Sequence, residues 1–240
     1  MATLFLKNLV KIYNGRPAVN SVSLHIDDGS VVGLLGPNGA GKTTTFYMVI
    51  GIIKPNTGQV FLDDEDITDY PIHLRARKGV GYLPQETSIF KKLTVKQNIK
   101  AILEILPIPK SEQKERADVL LDELGIKHLG NQKASLLSGG ERRRLEITRS
   151  LATNPSFILL DEPFAGIDPL AVIDIKKIIR HLKKRGIGIL ISDHNVRETL
   201  EVCDKAYILN DGKIIESGSP QKIASSETAR RIYLGNEFKL

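Results

Sequence analysis

Gly36-Pro37-Asn38-Gly39-Ala40-Gly41-Lys42-Thr43 has the spacing G-x-x-x-x-G-K-[ST], set between the apolar run Val31-Val32-Gly33-Leu34-Leu35 and a segment of helical character. Glycines so placed let backbone N–H groups converge on phosphate oxygens that a side chain would obstruct, and a helix N-terminus adds partial positive charge. Lys42 then reaches the β- and γ-phosphates, the Thr43 hydroxyl ligates Mg²⁺, and Thr44 continues the first turn beside them. A second apolar run, Phe157-Ile158-Leu159-Leu160, ends in Asp161-Glu162. Buried strands rarely tolerate adjacent charges unless something at the strand end needs them. Alone, the pair would be a solvated turn. Beside a phosphate loop, Asp161 can hold Mg²⁺ through its water shell, and Glu162 can act as general base or orient the attacking water.

These residues need elements to position them. Strands are predicted at Leu4-Phe5-Leu6, at the alternating Val22-Ser23-Leu24-His25-Ile26, at 31–35 and at 58–62, with a helix from about 42 to 52 closed by Lys54-Pro55-Asn56. Asp63-Asp64-Glu65-Asp66 lacks the EF-hand spacing and is expected to be a hairpin turn, not a Ca²⁺ site. From about 86 to 155 the texture is helical, with helices at 95–106, 111–124 (N-capped by Ser111) and 143–152. Strand and helix then alternate: strands at 157–160 and 187–191, helices at 170–184 and 196–202, and a hairpin turning on Asn210-Asp211-Gly212. In the 170–184 helix, Ala171, Ile175, Ile178, Ile179 and Leu182 form an apolar stripe, with Lys176, Lys177, Arg180, Lys183 and Lys184 mostly on a solvated face. The pattern is an α/β core interrupted by a helical insertion.

The 240 residues are 41% hydrophobic and 26% charged, which excludes wholesale disorder and leaves one or two domains. No uncharged apolar run nears the ~18 residues that cross a bilayer. The opening Met1-Ala2-Thr3-Leu4-Phe5-Leu6-Lys7 has no secretory pattern, so a cytoplasmic chain without a membrane span is expected. The one cysteine, Cys203, sits in an apolar context and is expected to pack in the core. A formal charge of +6 admits a phosphate-rich ligand, an anionic membrane surface or nucleic acid. The basic residues are dispersed, with no RNA-binding aromatic motif, helix-turn-helix signal or zinc-ligand set, so no direct nucleic-acid contact is expected.

Leu137-Ser138-Gly139-Gly140-Glu141, 20 residues before Asp161, would alone be a turn or a cap. In this company it resembles the signature motif of ATP-binding cassette (ABC) transporter ATPases. The other motifs follow in the family's order. Tyr82-Leu83-Pro84-Gln85 resembles the Q-loop, which implies Gln85 near Mg²⁺ and the attacking water. Ala165-Gly166-Ile167-Asp168 resembles the D-loop, which implies Asp168 at a dimer interface, and Ser192-Asp193-His194 resembles the switch loop, which implies His194 at the γ-phosphate. Tyr13 matches the aromatic that stacks on adenine, and Arg16 could lie against the base or ribose. The resemblance covers roughly 3–220. It implies an α/β P-loop NTPase (RecA-like) core with an antiparallel β subdomain and a helical insertion, hydrolysing ATP with Mg²⁺. It also implies a head-to-tail homodimer in which Ser138, Gly139, Gly140 and Glu141 of one subunit close on the γ-phosphate held by the other. The expected division is a nucleotide-binding core at 1–85 and 156–220, a helical subdomain carrying the signature at 86–155, and a C-terminal helical tail at 221–240.

Longer stretches narrow the resemblance. Gly41 to Gly51, Gln85 to Phe90, Asp161 to Pro169, Asp193 to Leu200 and the ending Tyr233 to Leu240 look like the ATPase subunits of bacterial lipopolysaccharide exporters. That implies two transmembrane permease subunits as partners and a place on the cytoplasmic face of the inner membrane. Branched-chain amino-acid importer ATPases share much of the N-terminal half, and a soluble ABC ATPase acting on nucleic acid or ribosomes is the alternative from another class. Phe90, beside Lys91 and Lys92, is expected either in the core of the insertion or lining a groove for a short helix of the membrane partner.

Overall fold

The computed structural model describes residues 2–240. Strands β1 (Thr3–Tyr13), β2 (Arg16–Asp27), β4 (Thr57–Leu62) and β5 (Glu65–Asp66) form an antiparallel sheet in the order β2-β1-β4-β5. β1 and β2 run much longer than the short runs predicted from alternation. Positive φ at Asn8 and Ser21 and register shifts along the pair mark bulges that break the two-residue period. Asp63 and Asp64 turn β4 into β5, as expected, and no cluster of carboxylates suited to a metal ion occurs among the described residues.

The second sheet has the order β10-β9-β3-β8-β7-β6. β3 (Val31–Leu35), β6 (Val80–Leu83), β7 (Phe157–Asp161), β8 (Gly188–Ser192) and β9 (Lys205–Asn210) are parallel, and β10 (Lys213–Gly218) closes the edge antiparallel. β3, β7 and β8 are buried at every residue, which is why each is an unbroken apolar run in the sequence. β6 and α2 (Ile72–Arg77) were not predicted; both are too short and mixed to show a period.

α1 (Lys42–Ile50) stops two residues before the predicted end, because Gly51 takes a left-handed cap. α3 (Val95–Leu103) opens on a Thr94/Gln97 capping box. α4 (Lys110–Glu123) corrects the Ser111 cap: Pro109 is the N-cap, and Ser111 already lies in the first turn. α5 (Gly139–Leu151) begins four residues earlier than predicted, since Ser138 and Glu141 form a capping box that the glycines hide from a propensity reading. α6 (Pro169–Lys184) is capped by Asp168, and α7 (Val196–Leu200) follows β8. Lys176 corrects the solvated-face reading of α6: it is buried, with both of its carboxylate partners on and after α7. Cys203 is buried, and burial pushes its thiol pKa up. α8 (Pro220–Ser225) and α9 (Glu227–Ala229) lead to a wide turn at Arg230–Leu234; the final residues, 235–240, lie outside any helix.

The helical insertion has no separate core. Ile99, Leu103, Leu121 and Leu145 belong to one apolar cluster with Leu160, Ile191 and Ile179. On the other face α1 is clamped between the sheets, and its C-terminal end meets a buried cation. Arg75, 1% exposed, donates to the carbonyls of Met48 and Val49 at 2.7 and 2.6 Å and to those of Thr68 and Tyr70 at 2.7 and 2.8 Å. Burial lowers its pKa to about 10. The guanidinium thus satisfies helix-end acceptors that have no other partner. Arg75→Met should lower stability by about 3 kcal/mol or more, because it strands these carbonyls. Urea unfolding checks this: the midpoint should fall with an unchanged m-value.

Candidate functional site

The phosphate loop leaves β3 at Gly36 and enters α1 at Lys42. Gly36 has φ 152°, and a Cβ there would stand 2.0 Å from the Leu209 carbonyl oxygen; at Gly41, φ 107°, it would stand 2.4 Å from that of Ala18. Both glycines are demanded by backbone packed behind the loop as well as by conformation. α1 has no side-chain cap and no acid in its first turn, so its leading N–H groups face the loop unclaimed by side chains. Asn38, Gly39 and Thr43 are exposed at the loop mouth, with Pro37 and Thr44 half-buried and Ala40 packed beneath. Lys42 Nζ donates to the carbonyls of Gly36 and Pro37 at 2.6 and 2.9 Å. Burial lowers its pKa, while the charges of Glu162 and Asp161 work the other way.

Parallel register gathers the remaining groups at the same sheet edge. Leu83 pairs with Leu160 and Asp161 with Ser192, so Gln85, Glu162 and His194 all lie just past aligned strand ends. Gln85 Nε2 donates to Glu162 Oε2 at 2.8 Å, and His194 Nδ1 lies 3.3 Å from the same oxygen. Glu162 has φ 47°, a left-handed backbone unusual for a residue with a side chain, and its N–H donates to the Ser192 carbonyl at 2.6 Å. Asp161 is buried, and its carboxyl meets the Tyr82 hydroxyl at 3.3 Å. Burial raises its pKa to about 6. A desolvated carboxylate at the end of β7, near enough to Lys42 to feel its charge, suits a hard cation bound largely through phosphate and water oxygens.

Several supporting groups were not singled out from sequence. Arg143, buried on α5, donates to the carbonyls of Pro84, Asp161 and Glu162 at 3.1, 3.0 and 3.2 Å and pairs with Glu146 at 3.1 Å. It sits in the basic run Arg142-Arg143-Arg144, where its i, i+3 spacing from Glu146 was the available signal. Asp193 is fully buried and accepts from the Phe164 and Asn195 N–H groups at 2.8 Å each. From the tail, Tyr233 packs against the apolar cluster that holds Leu35, the last residue before the loop, and burial raises its hydroxyl pKa. Nothing in the local sequence around Tyr233 signals this.

The signature residues do not join the phosphate loop within the chain. Ser138 Oγ accepts from the Glu141 N–H at 3.3 Å, and Glu141 Oε2 accepts from the Ser138 N–H and Oγ at 2.8 Å each. Ser138, Gly140, Glu141 and Asp168 line a separate cavity of about 350 Å³, and Gly139 is exposed next to it. Tyr13 and Arg16 are paired and exposed at the tip of the β1–β2 hairpin. Phe90 is 45% exposed, which answers against the core alternative. Its backbone is bracketed by the buried Asn98, and the Arg149 guanidinium lies 4.5 Å from its ring centroid while donating to the Ser88 carbonyl.

Comparison with known proteins shows the family and the fold. The ABC transporter family model matches residues 19–165. The chain is 57% identical, over the full length of both, to the lipopolysaccharide export system ATP-binding protein LptB of Escherichia coli K12, and 54% identical, again at full length, to that of Haemophilus influenzae. Among solved structures it resembles the ADP conformation of MJ1267, an ATP-binding cassette of an ABC transporter, with a TM-score of 0.88 and 31% identity over 98% of this chain and all of that one. It also resembles the dimeric post-hydrolysis state of the cassette MJ0796 bound to ADP and Pi, with a TM-score of 0.78 and 26% identity over 90% of this chain and 98% of that one.

The convergence on one Glu162 oxygen generates a test. Glu162→Gln should keep nucleotide binding and lose ATP turnover by about 100-fold or more. His194→Ala should lose turnover by orders of magnitude with little change in melting temperature, since the ring is exposed. Steady-state phosphate release alongside thermal melts decides both; near-normal turnover of Glu162→Gln would sink the arrangement.

Proposed function

The chain belongs to the ABC transporter family, and we propose that it is the ATP-hydrolysing subunit that powers extraction of lipopolysaccharide from the inner membrane towards the outer membrane. Full-length identity of 57% to a lipopolysaccharide export ATP-binding protein is the observation that carries the cargo assignment. ATP binding and ATP hydrolysis coupled to transport follow from the family itself. No helix among the described residues is long and apolar enough to cross a membrane, and membership of the ABC transporter family implies membrane components as partners. We place it on the cytoplasmic face of the inner membrane.

In this reading the loop N–H groups and Lys42 hold the triphosphate, and the exposed Tyr13 and Arg16 receive the base and ribose. Mg²⁺, held by Thr43, Gln85 and, through water, Asp161, would spread the charge of the phosphates. Glu162 accepts a hydrogen bond from the attacking water and takes its proton, or fixes its direction, while Gln85 and His194 hold the carboxylate in place. Two copies pair head to tail, so that the signature residues and Asp168 of one meet the phosphates on the other; the likeness to the dimeric cassette MJ0796 supports this pairing.

Phe90 is assigned to a groove that receives a short helix from a transmembrane permease subunit, one such subunit for each of the two cassettes. Its exposure, its rigid backbone brackets and the cation behind its ring make it a preorganised aromatic anchor. Phe90→Ala should leave the isolated chain folded and able to bind ATP, yet cut co-purification with the membrane subunits and abolish transport. The check is recovery of the complex from gently solubilised membranes, with mass spectrometry of the companions and a lipopolysaccharide release assay. Full recovery with normal release would refute the groove, and companions from an amino-acid importer would refute the cargo.

A further inference from the structure

α6 and α7 begin from two different loops of the site, and one buried cation ties them together. α6 starts at Asp168, where the D-loop ends; α7 starts two residues after His194. Lys176, two turns into α6, donates to Glu198 Oε2 and Glu201 Oε2, each at 2.6 Å. The lysine is 9% exposed, and its side chain is enclosed where the two helices meet. A second tie lies nearer the loops: buried Asp193, beside His194, accepts from the Phe164 N–H at the start of the D-loop and from the Asn195 N–H that leads into α7. Between the ties runs a cleft of about 450 Å³ lined by Phe164, Ile167, Ile173, Asn195 and Glu198. The apolar faces of the two helices pack on the sheet in separate clusters, Ile175, Ile179 and Leu182 of α6 in one and Leu200 of α7 in the other, so across the cleft it is polar links that join the helices to each other.

An ammonium group is removed from water only where charge-assisted hydrogen bonds offset the loss, and here two carboxylates share one donor. Both carboxylates sit at the α7 end: one inside that helix and one at its C-terminal cap. A helix of five residues has little stability of its own, and its direction is set by what grips it. That direction determines where the preceding loop presents His194, whose Nδ1 lies 3.3 Å from the Glu162 carboxylate.

We propose that Lys176 is a positioning residue for the hydrolytic step: it locks the D-loop helix and the switch helix into one body, so that His194 is held against Glu162 only when α6 is seated. This rests on the reading of His194 given above. Lys176 touches no reacting atom, so its loss should act on turnover and spare nucleotide binding.

The test uses the full chain with Mg-ATP. Lys176→Met should lower kcat about tenfold while KM for ATP stays within about twofold, and Lys176→Arg, which can still reach two carboxylates, should restore most of the rate. Turnover of folded Lys176→Met within about twofold of the parent would overturn the proposal. So would a parallel fall in kcat and melting temperature that Lys176→Arg leaves unrepaired, because that marks a merely structural pair. Should Lys176→Met fail to fold, the Glu198→Gln/Glu201→Gln chain cuts the same link from the other side and is judged by the same kcat and KM split. His194→Ala is run alongside. If it is inactive while Lys176→Met is normal, the link alone falls. If it turns over normally, the reading of His194 falls and takes the link with it.

Discussion

One guanidinium underlies the catalytic edge. The carbonyls of Asp161 and Glu162 lie where β7 runs out of ladder, and a buried carbonyl without a donor is costly. Arg143 supplies that donor to both, to Pro84 on the neighbouring loop, and to Glu146 on its own helix. Glu146 in turn accepts from the Ser88 N–H at 3.0 Å. The turn that aims Glu162, the loop that carries Gln85 and the helix that begins at the signature are therefore held through a single cation. Because the pair is buried, losing either partner would leave an uncompensated charge, so the network is maintained as a whole or not at all.

The same cation ties the helical insertion to the end of β7. The insertion shares its apolar cluster with the sheet and does not pivot on a core of its own. α5 has the capping box of the signature at its first turn, Arg143 and Glu146 in its middle, and Arg149 against Phe90 near its end. The signature capping box, the cation that holds the Glu162 turn and the exposed aromatic are thus spaced along one helix about 20 Å long.

The phosphate loop and the Asp161-Glu162 pair were legible because each sits at the end of a fully buried strand, where an apolar run stops abruptly at residues that burial alone would reject. The parallel sheet was legible for the same reason. The bulged β1–β2 pair was legible only in fragments, since Asn8 and Ser21 disrupt the alternation that marks a strand. Lys176 was misjudged because helical periodicity records which face a residue occupies and carries no information about a second helix laid across that face. Arg143 went unnoticed because a run of three arginines gives no sign of which one turns inward. Tyr233 could not be placed beside the loop: it packs on the cluster of Leu35 from the far end of the chain, and no local pattern encodes a contact of that separation.

The left-handed turn at Glu162 sets fold stability against chemistry. A residue with a Cβ held there costs about 1–2 kcal/mol, a strain that glycine escapes and asparagine partly escapes. Either replacement would relax the backbone and delete the carboxylate in the same stroke. Heat resistance and the hydrolytic role proposed for Glu162 therefore pull this one position in opposite directions.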